Sequence, residues 1–359
     1  MKIAIILGTR PEIIKMSPII RELEKRNSDY FILHTGQHYS YNLDQVFFDQ
    51  LKLPRPKYNL QVGSGTHAEE TGKMLIGIEK ILLKEKPDII LVEGDTNTVL
   101  AGALAAVKLK ILVGHVEAGL RSYDREMPEE INRVLTDHIS DFLFAPTEKA
   151  RQNLLREGIS NEKIFVTGNT IVDAVYQNLE LSKTQSSILN DLGIDSGCYF
   201  LVTIHRQENV DNIKRFREIL EGLRLVHKEF DFPIIYPIHP RAKKRIKQFN
   251  LKPEGLTLVD PIDYLSFLQL ESKAKLILTD SGGVQEEACI LRVPCVTLRY
   301  NTERPETIEV GANVLAGTDP HTIVEKVKFM LNKKCDWDNP FGDGKAGSRI
   351  VRILLEGSV

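Results

Sequence analysis

Residues 1–12 read MKIAIILGTRPE, and this stretch decides the fold class. Five apolar residues, Ile3 to Leu7, run unbroken up to Gly8, too short for the apolar region of a secretory signal. An apolar run of that length that ends at a glycine reads as a strand buried on both faces. Gly8 then permits a turn, Thr9 is a capping residue type, and Pro11 suits the first helical position. A buried strand therefore feeds directly into a helix.

The same rhythm continues outward from this unit. Short apolar runs at 2–7, 30–34, 88–93, 110–116, 142–145 and 164–167 are predicted strands. Amphipathic stretches at 12–26, 43–51, 68–86, 98–108 and 129–140 are predicted helices. The polar segment 180–196, containing Ser-Lys-Thr-Gln-Ser-Ser, reads as a linker. After it the alternation restarts, with strands at 199–204, 233–237, 256–259, 275–278 and 293–298. Helices are expected there at 212–230, 242–248, 264–271, 284–292 and 322–331. Alternation of this kind predicts α/β architecture with parallel sheets covered by helices on both faces. The expected domains are 1–180 and 195–335, with an amphipathic C-terminal helix inside 345–359 packing back on the first.

Bulk properties narrow the function. The chain has 359 residues, 42% hydrophobic and 27% charged, which suits two globular domains. Lys plus Arg number 47 and Asp plus Glu 49, so a net charge of −2 gives no electrostatic pull toward nucleic acid. No apolar stretch approaches the roughly 18 residues needed to cross a bilayer. The four cysteines, Cys198, Cys289, Cys295 and Cys335, lack Cys-x-x-Cys spacing, which argues against structural zinc and a secreted disulfide scaffold. His34 and His38 straddle a strand end instead of sharing a helical face, so no metal site is read there. A cytoplasmic protein without nucleic-acid or membrane partners is expected.

Several motifs sit where strands end. In Gly8-Thr9-Arg10-Pro11-Glu12, exposed N–H groups at a helix start attract anions, and Arg10 and Lys15 add positive charge beside them. The bland reading is a well-made turn with solvent-facing cations. The motif is neither Gly-x-Gly-x-x-Gly nor a P-loop, so no nicotinamide or ATP fingerprint is present. In Thr279-Asp280-Ser281-Gly282-Gly283 the glycines and Ser281 can close on a diphosphate, and Glu287 further along can accept from ribose hydroxyls. An ordinary capped helix start is the alternative.

Glu93-Gly94-Asp95-Thr96-Asn97 and His115-Val116-Glu117-Ala118-Gly119 both end predicted strands. Each alone suits a turn or cap. Together on one rim, desolvated carboxylates become acid/base candidates near neutral pH. Glu129, in Met127-Pro128-Glu129-Glu130, adds a third at a helix start, where charge–dipole attraction is the simpler account. His205, in His-Arg-Gln-Glu-Asn, should lie on the rim of the second domain.

Read in order, GTRPE, GDTNT, GHVEAGLRS, MPEEINR, VTGNT, HRQEN, DSGGVQEE and TERPE form a set. The set resembles the non-hydrolysing UDP-N-acetylglucosamine 2-epimerases from Met1 to about Gly347. That resemblance implies a GT-B-like fold, two Rossmann-like doubly wound domains with the active site in the cleft between them. It implies reversible epimerisation at carbon 2 of UDP-GlcNAc to UDP-ManNAc, by elimination of UDP to a bound 2-acetamidoglucal and re-addition. No cofactor and no metal are expected.

Carried over motif by motif, Asp95, Glu117 and Glu129 look like the acid/base group and His205 like a helper at the leaving UDP. Arg10 and Lys15 would reach the diphosphate or sugar. Ser281, Gly282 and Gly283 would hold phosphate, Glu287 the ribose, and Arg304 another phosphate oxygen. Phe267 matches a uracil-pocket position, with a backbone contact near Ile262. The resemblance also implies a homodimer. The rival readings are a GT-B glycosyltransferase using a UDP-sugar donor, a hydrolysing epimerase and a non-catalytic nucleotide-sugar sensor. Asp95, Glu117 and Glu129 argue against the last, since a sensor needs no proton-transfer groups.

Overall fold

The structure, a computed structural model, describes residues 1–36 and 41–357, so His38 lies outside it. The chain forms two compact units, Met1–Gln177 with the C-terminal segment from Phe341, and Asn178–Pro340.

Strands of the first unit are β1 (Ile3–Leu7), β2 (Tyr30–His34), β3 (Tyr58–Asn59), β4 (Ile89–Glu93), β5 (Leu112–Val116), β6 (Phe142–Ala145) and β7 (Ile164–Val166). Between them run α1 (Arg10–Lys25), α2 (Tyr41–Gln50), α3 (His67–Glu85), α4 (Asn97–Lys108), α5 (Pro128–Ile139) and α6 (Glu148–Arg156). All strand pairs are parallel, in the order β3-β2-β1-β4-β5-β6-β7. The order reverses between β1 and β4, the kind of switch point beyond whose carboxyl end α/β folds bind ligands. Both strands are buried along their whole length. Each large aliphatic side chain so removed from water contributes about 1.5–3 kcal/mol. Register places Ile3 opposite Tyr30 and Ile89, and Glu93 opposite Val116, so β1, β4 and β5 end on one rim.

Helix α7 (Thr170–Gln185) and α8 (Ile188–Leu192) occupy most of the stretch expected to be a linker. The amphipathic signal is hidden because the buried face of α7 turns polar partway along. Ile171 and Val175 continue at helical spacing into Asn178 and Ser182, both 0% exposed. The Ser182 hydroxyl donates back to the Leu179 carbonyl at 2.8 Å, which satisfies it without a partner element.

The second unit repeats the doubly wound plan. Its strands are β8 (Phe200–Thr203), β9 (Ile234–Pro237), β10 (Leu256–Val259), β11 (Leu276–Thr279), β12 (Cys295–Thr297) and β13 (Asn313–Leu315). They pair in parallel in the order β10-β9-β8-β11-β12-β13, with the reversal at β8/β11. Its remaining helices are α9 (Gln207–Val210), α10 (Ile213–Phe230), α11 (Pro240–Gln248), α12 (Tyr264–Lys273), α13 (Gly282–Ile290), α14 (Pro305–Glu309) and α15 (Pro320–Leu331). Both units are therefore α/β and Rossmann-like.

The last helix, α16 (Ala346–Glu356), belongs to the first unit and packs on α1. Asp173 accepts from the backbone N–H groups of Ala346 and Gly347 at 3.1 and 3.0 Å, anchoring the helix start. Gly347 lies against Pro18, where a Cβ would come within 3.0 Å of its ring. No helix among the described residues is long and apolar enough to cross a membrane.

Candidate functional site

In the first unit, the site is built on the carboxyl ends of β1, β4 and β5. Helix α1 leaves β1 through Gly8, which sits so close to the Thr35 and Thr98 hydroxyls that no side chain fits. Glu12 folds back over the turn and accepts from Gly8 N at 2.5 Å, Thr9 N at 3.0 Å and the Thr96 hydroxyl. Burial pushes its carboxyl up to about 7, against the pull of these donors.

One turn further along α1, Lys15 reaches the rim. Its ammonium lies 2.5 Å from Glu117 Oε2 and 3.3 Å from Glu93 Oε1. Glu93 is 2% exposed, and burial holds its carboxyl well above the usual range, with Lys15 pulling down and Glu117 and Glu12 pushing up. Glu117 also accepts from Asn169 Nδ2 at 3.1 Å. Its backbone is left-handed, φ +68°, a conformation costing about 1 kcal/mol or more for a side chain of this kind.

The loop that carries Glu117 is tied down from below. His115 Nδ1 lies 2.6 Å from Asp137 Oδ1, and its Nε2 lies 2.8 Å from the Gly94 carbonyl oxygen. Asp137 also meets Arg121 at 2.7 Å and accepts from Gly119 N at 3.1 Å. Burial would raise the Asp137 carboxyl, but His115 and Arg121 outweigh it and hold it low. The GHVEAGLRS motif is thus a frame around one buried aspartate, with Glu117 held beside it, itself 7% exposed.

Asp95 follows two residues after Glu93. Its carboxylate pairs with Arg133 of α5, and its carbonyl accepts from Asn132 Nδ2 at 3.0 Å. Arg133 also pairs with buried Glu130, which accepts from Ser122 N at 2.9 Å and Tyr123 N at 3.0 Å. Glu129 stands exposed in the first turn of α5, and among the described residues it joins neither network. Arg10 is exposed at the start of α1, its guanidinium 6.0 Å from the Phe47 ring centroid.

The second unit supplies a different chemistry. At the β11–α13 turn, Ser281 precedes the helix, and Gly282 and Gly283 form its first positions. Neither glycine has a left-handed backbone, and a Cβ on either would meet nothing closer than 3.7 Å. Neither the chain's own packing nor its backbone demands glycine there. What the glycines leave is bare backbone N–H at a helix start, with room for an anion.

Asp280, fully buried, organises the facing loop. It accepts from His205 N at 3.1 Å, Arg206 N at 3.0 Å and Asn209 Nδ2 at 3.0 Å. A pocket of about 270 Å³ opens beside these groups, lined by His205, His239, Ile262, Phe267, Ser281 and Val284 among others. The His205 and His239 rings are 5.9 Å apart, and burial with the nearby His205 and Arg241 lowers the His239 imidazole. Glu287 lies deeper along α13, 7% exposed, and accepts from the Tyr264 hydroxyl at 3.1 Å. Arg304, at the start of α14, pairs with buried Glu286 at 2.7 Å, on the same helix as Glu287.

Each unit therefore gathers its own candidates. Lys15, Asp95 and Glu117 share one rim in the first. His205, Ile262, Phe267 and Ser281 share one pocket in the second, with Gly282 and Gly283 beside it. The sequence reading missed Glu12 and Glu93 as desolvated carboxyls, Asn169 and Arg133 as the hydrogen-bonding neighbours of Glu117 and Asp95, and Asp280 as the anchor of His205. All lie inside motifs already quoted, but only register and burial assign them partners.

A family model described as UDP-N-acetylglucosamine 2-epimerase matches residues 21–355. A UDP-N-acetylglucosamine 2-epimerase of Methanocaldococcus jannaschii is 63% identical over 365 residues, covering 99% of this chain and 100% of that protein. One of Methanococcus maripaludis is 56% identical over 361 residues, covering 99% and 98%. The crystal structure of the Methanocaldococcus jannaschii enzyme in complex with UDP-GlcNAc and UDP matches with a TM-score of 0.89, covering 99% of this chain and 100% of that one. The two Rossmann-like units place the fold in the GT-B-like class. On residues, fold and extent of match together, the chain belongs to the UDP-N-acetylglucosamine 2-epimerase family.

Proposed function

We propose that the chain interconverts UDP-GlcNAc and UDP-ManNAc by proton transfer at carbon 2 coupled to loss and return of UDP. The observation that carries this reading is Lys15 standing between Glu93 and Glu117, on the rim that also bears Asp95. As the bond from carbon 1 to the diphosphate oxygen breaks, its electrons leave with UDP and positive charge builds at carbon 1. The neighbouring carbon 2 proton becomes acidic and passes to a carboxylate, leaving a double bond between the two carbons. Return requires a carboxylic acid to protonate the opposite face while the diphosphate oxygen re-forms its bond to carbon 1. No net redox change occurs.

Asp95, Glu117 and Glu129 are the acid/base group in this proposal. Lys15 pairs with Glu117, and Arg133 pairs with Asp95. The bare start of α13, with Ser281, Gly282 and Gly283, takes the diphosphate, helped by His205, Arg304 and Arg10. Uracil enters the apolar pocket against Ile262 and Phe267, and Glu287 accepts from the ribose hydroxyls. The ligands of the 63%-identical crystal structure support the substrate class.

We also propose that the protein works as a homodimer through the first unit. Ile76 and Leu83 on α3, and Ile131 and Leu135 on α5, are each 44–57% exposed among the described residues, apolar side chains available to a partner copy. The enzyme is placed in the cytoplasm, where free thiols such as exposed Cys198 and Cys335 persist. The test is incubation with UDP-GlcNAc alone, with products separated by chromatography. UDP-ManNAc forming while total UDP-sugar is conserved supports the proposal. Sugar transfer to an added acceptor without an epimer would support a glycosyltransferase instead.

A further inference from the structure

The frame around Asp137 contains a buried group that the proposed chemistry does not use. His115, on β5, is 0% exposed, and both of its ring nitrogens are engaged. Nδ1 lies 2.6 Å from Asp137 Oδ1 on α5, and Nε2 lies 2.8 Å from the Gly94 carbonyl oxygen. A carbonyl oxygen only accepts, so Nε2 carries a proton and donates it to Gly94. A buried imidazole satisfied at both ends is ordinarily a strut of the core. This one joins the two chains that carry Asp95 and Glu117.

Gly94 immediately precedes Asp95, and His115 lies two residues before Glu117. The β4–β5 ladder runs in register as far as Glu93 and Val116, and Gly94 N still donates to the Val116 carbonyl at 3.1 Å. Past that bond each chain turns through a left-handed residue, Gly94 with φ +84° and Glu117 with φ +68°. Both carboxylates therefore stand on turns beyond the end of the ladder. The His115 ring bridges those turns. One nitrogen holds the peptide group from which Asp95 departs. The other meets Asp137, whose second oxygen accepts from Gly119 N at 3.1 Å, on the far side of Glu117. Helix α5, which supplies Asp137, also supplies Asn132, whose Nδ2 donates to the Asp95 carbonyl at 3.0 Å.

We propose that His115 is a positioning residue that sets the spacing between Asp95 and Glu117, so that one carboxylate serves each face of carbon 2. The proposal rests on the reading of these two residues within the acid/base group. His115 itself does not touch the substrate. Its effect falls on the fate of the bound 2-acetamidoglucal. Protonation on the face that lost the proton regenerates UDP-GlcNAc, and protonation on the opposite face gives UDP-ManNAc. A misplaced second carboxylate favours the first outcome, or escape of the glucal, over the epimer.

The test measures initial rates in deuterated water by proton NMR. Three products are followed: UDP-GlcNAc deuterated at carbon 2, UDP-ManNAc and free 2-acetamidoglucal. His115→Asn sets its amide near the position of Nδ1, keeping Asp137 and losing Gly94, whereas His115→Gln sets it near Nε2 and keeps Gly94. His115→Asn should raise the ratio of deuterated UDP-GlcNAc plus glucal to epimer about tenfold, the scale of a sub-ångström misplacement, with KM little changed. His115→Gln should keep the wild-type ratio. So should Asp137→Asn, whose amide can donate to Nδ1 while Nε2 keeps its proton and its bond to Gly94. Thermal melts establish folding. A folded His115→Asn protein with the wild-type ratio overturns the proposal. So does a raised ratio in folded Asp137→Asn protein, a result that stands even if neither histidine variant folds. Should Asp95→Asn and Glu117→Gln both epimerise at the wild-type rate, the acid/base reading of these residues fails instead.

Discussion

The Lys15 ammonium lies 2.5 Å from the Glu117 carboxylate, and that carboxylate is mounted on a left-handed backbone with φ +68°. A salt bridge 13% and 6% exposed on its two sides is held in a conformation that no ordinary turn would choose for glutamate. Asn169 from beyond β7 completes the grip. Strain, burial and a single shared cation converge on Glu117, one of the three carboxylates proposed as the acid/base group.

Replacing Lys15 with Met should therefore slow epimerisation without unfolding the protein. Losing the ammonium disfavours ionised Glu117, so the acid limb of the pH–kcat profile should move to higher pH. At neutral pH kcat should drop about 100-fold or more, the usual weight of a displaced general base. Steady-state kinetics from pH 6 to 9 checks this, and an unmoved limb with near-normal kcat would count against it.

Glu12 makes a stability prediction. Its folded carboxyl is raised from 4.5 to about 7, so the folded state holds this proton more tightly than the unfolded chain. The associated stability is present below about pH 4.5 and is lost as the pH rises through about 7, on the order of 3 kcal/mol in all. Glu12→Gln cannot titrate. Its melting temperature should decline less between pH 5 and 7.5 than that of wild type, and parallel curves would show that the raised carboxyl is not there.

Asp280 should matter to both fold and nucleotide. Asp280→Ala leaves the backbone N–H groups of His205 and Arg206 without their acceptor and takes one of two acceptors from Asn209, at a cost on the order of 3 kcal/mol. Asp280→Asn keeps one acceptor oxygen and should stay folded, yet bind UDP several-fold more weakly because the His205 loop is loosened. Calorimetry on the asparagine variant decides it, with unchanged affinity as the contrary result.

The dimer is tested by charge. Ile131→Asp combined with Leu135→Asp puts two carboxylates on the exposed face of α5 and should yield monomers by sedimentation velocity, while wild type sediments as a dimer. A monomeric wild type would remove the basis for this interface.

How far the sequence carried these conclusions depends on the element. Strand β1 and its helix were legible because an all-apolar run of five ends at a glycine that nothing larger can replace. The rim was legible in part: Asp95 and Glu117 follow predicted strands, and parallel register levels them. What the chain did not reveal was pairing. Glu93 reads like any strand-end acid until Lys15, 78 positions away in sequence, is seen beside it. Asp280 likewise looks like a turn residue, and only the β8–β11 pairing brings it under His205. Helix α7 was misread because its buried face changes from Val175 to Asn178 and Ser182, which a hydrophobic period cannot detect.

The central claim is that a proton leaves and returns at carbon 2. Proton NMR of the protein with UDP-GlcNAc in deuterated water, with nothing else added, tests it most directly. The account predicts UDP-ManNAc appearing, with deuterium at carbon 2 of both epimers and UDP largely conserved. Bound substrate that stays protiated and unepimerised at carbon 2 would contradict it.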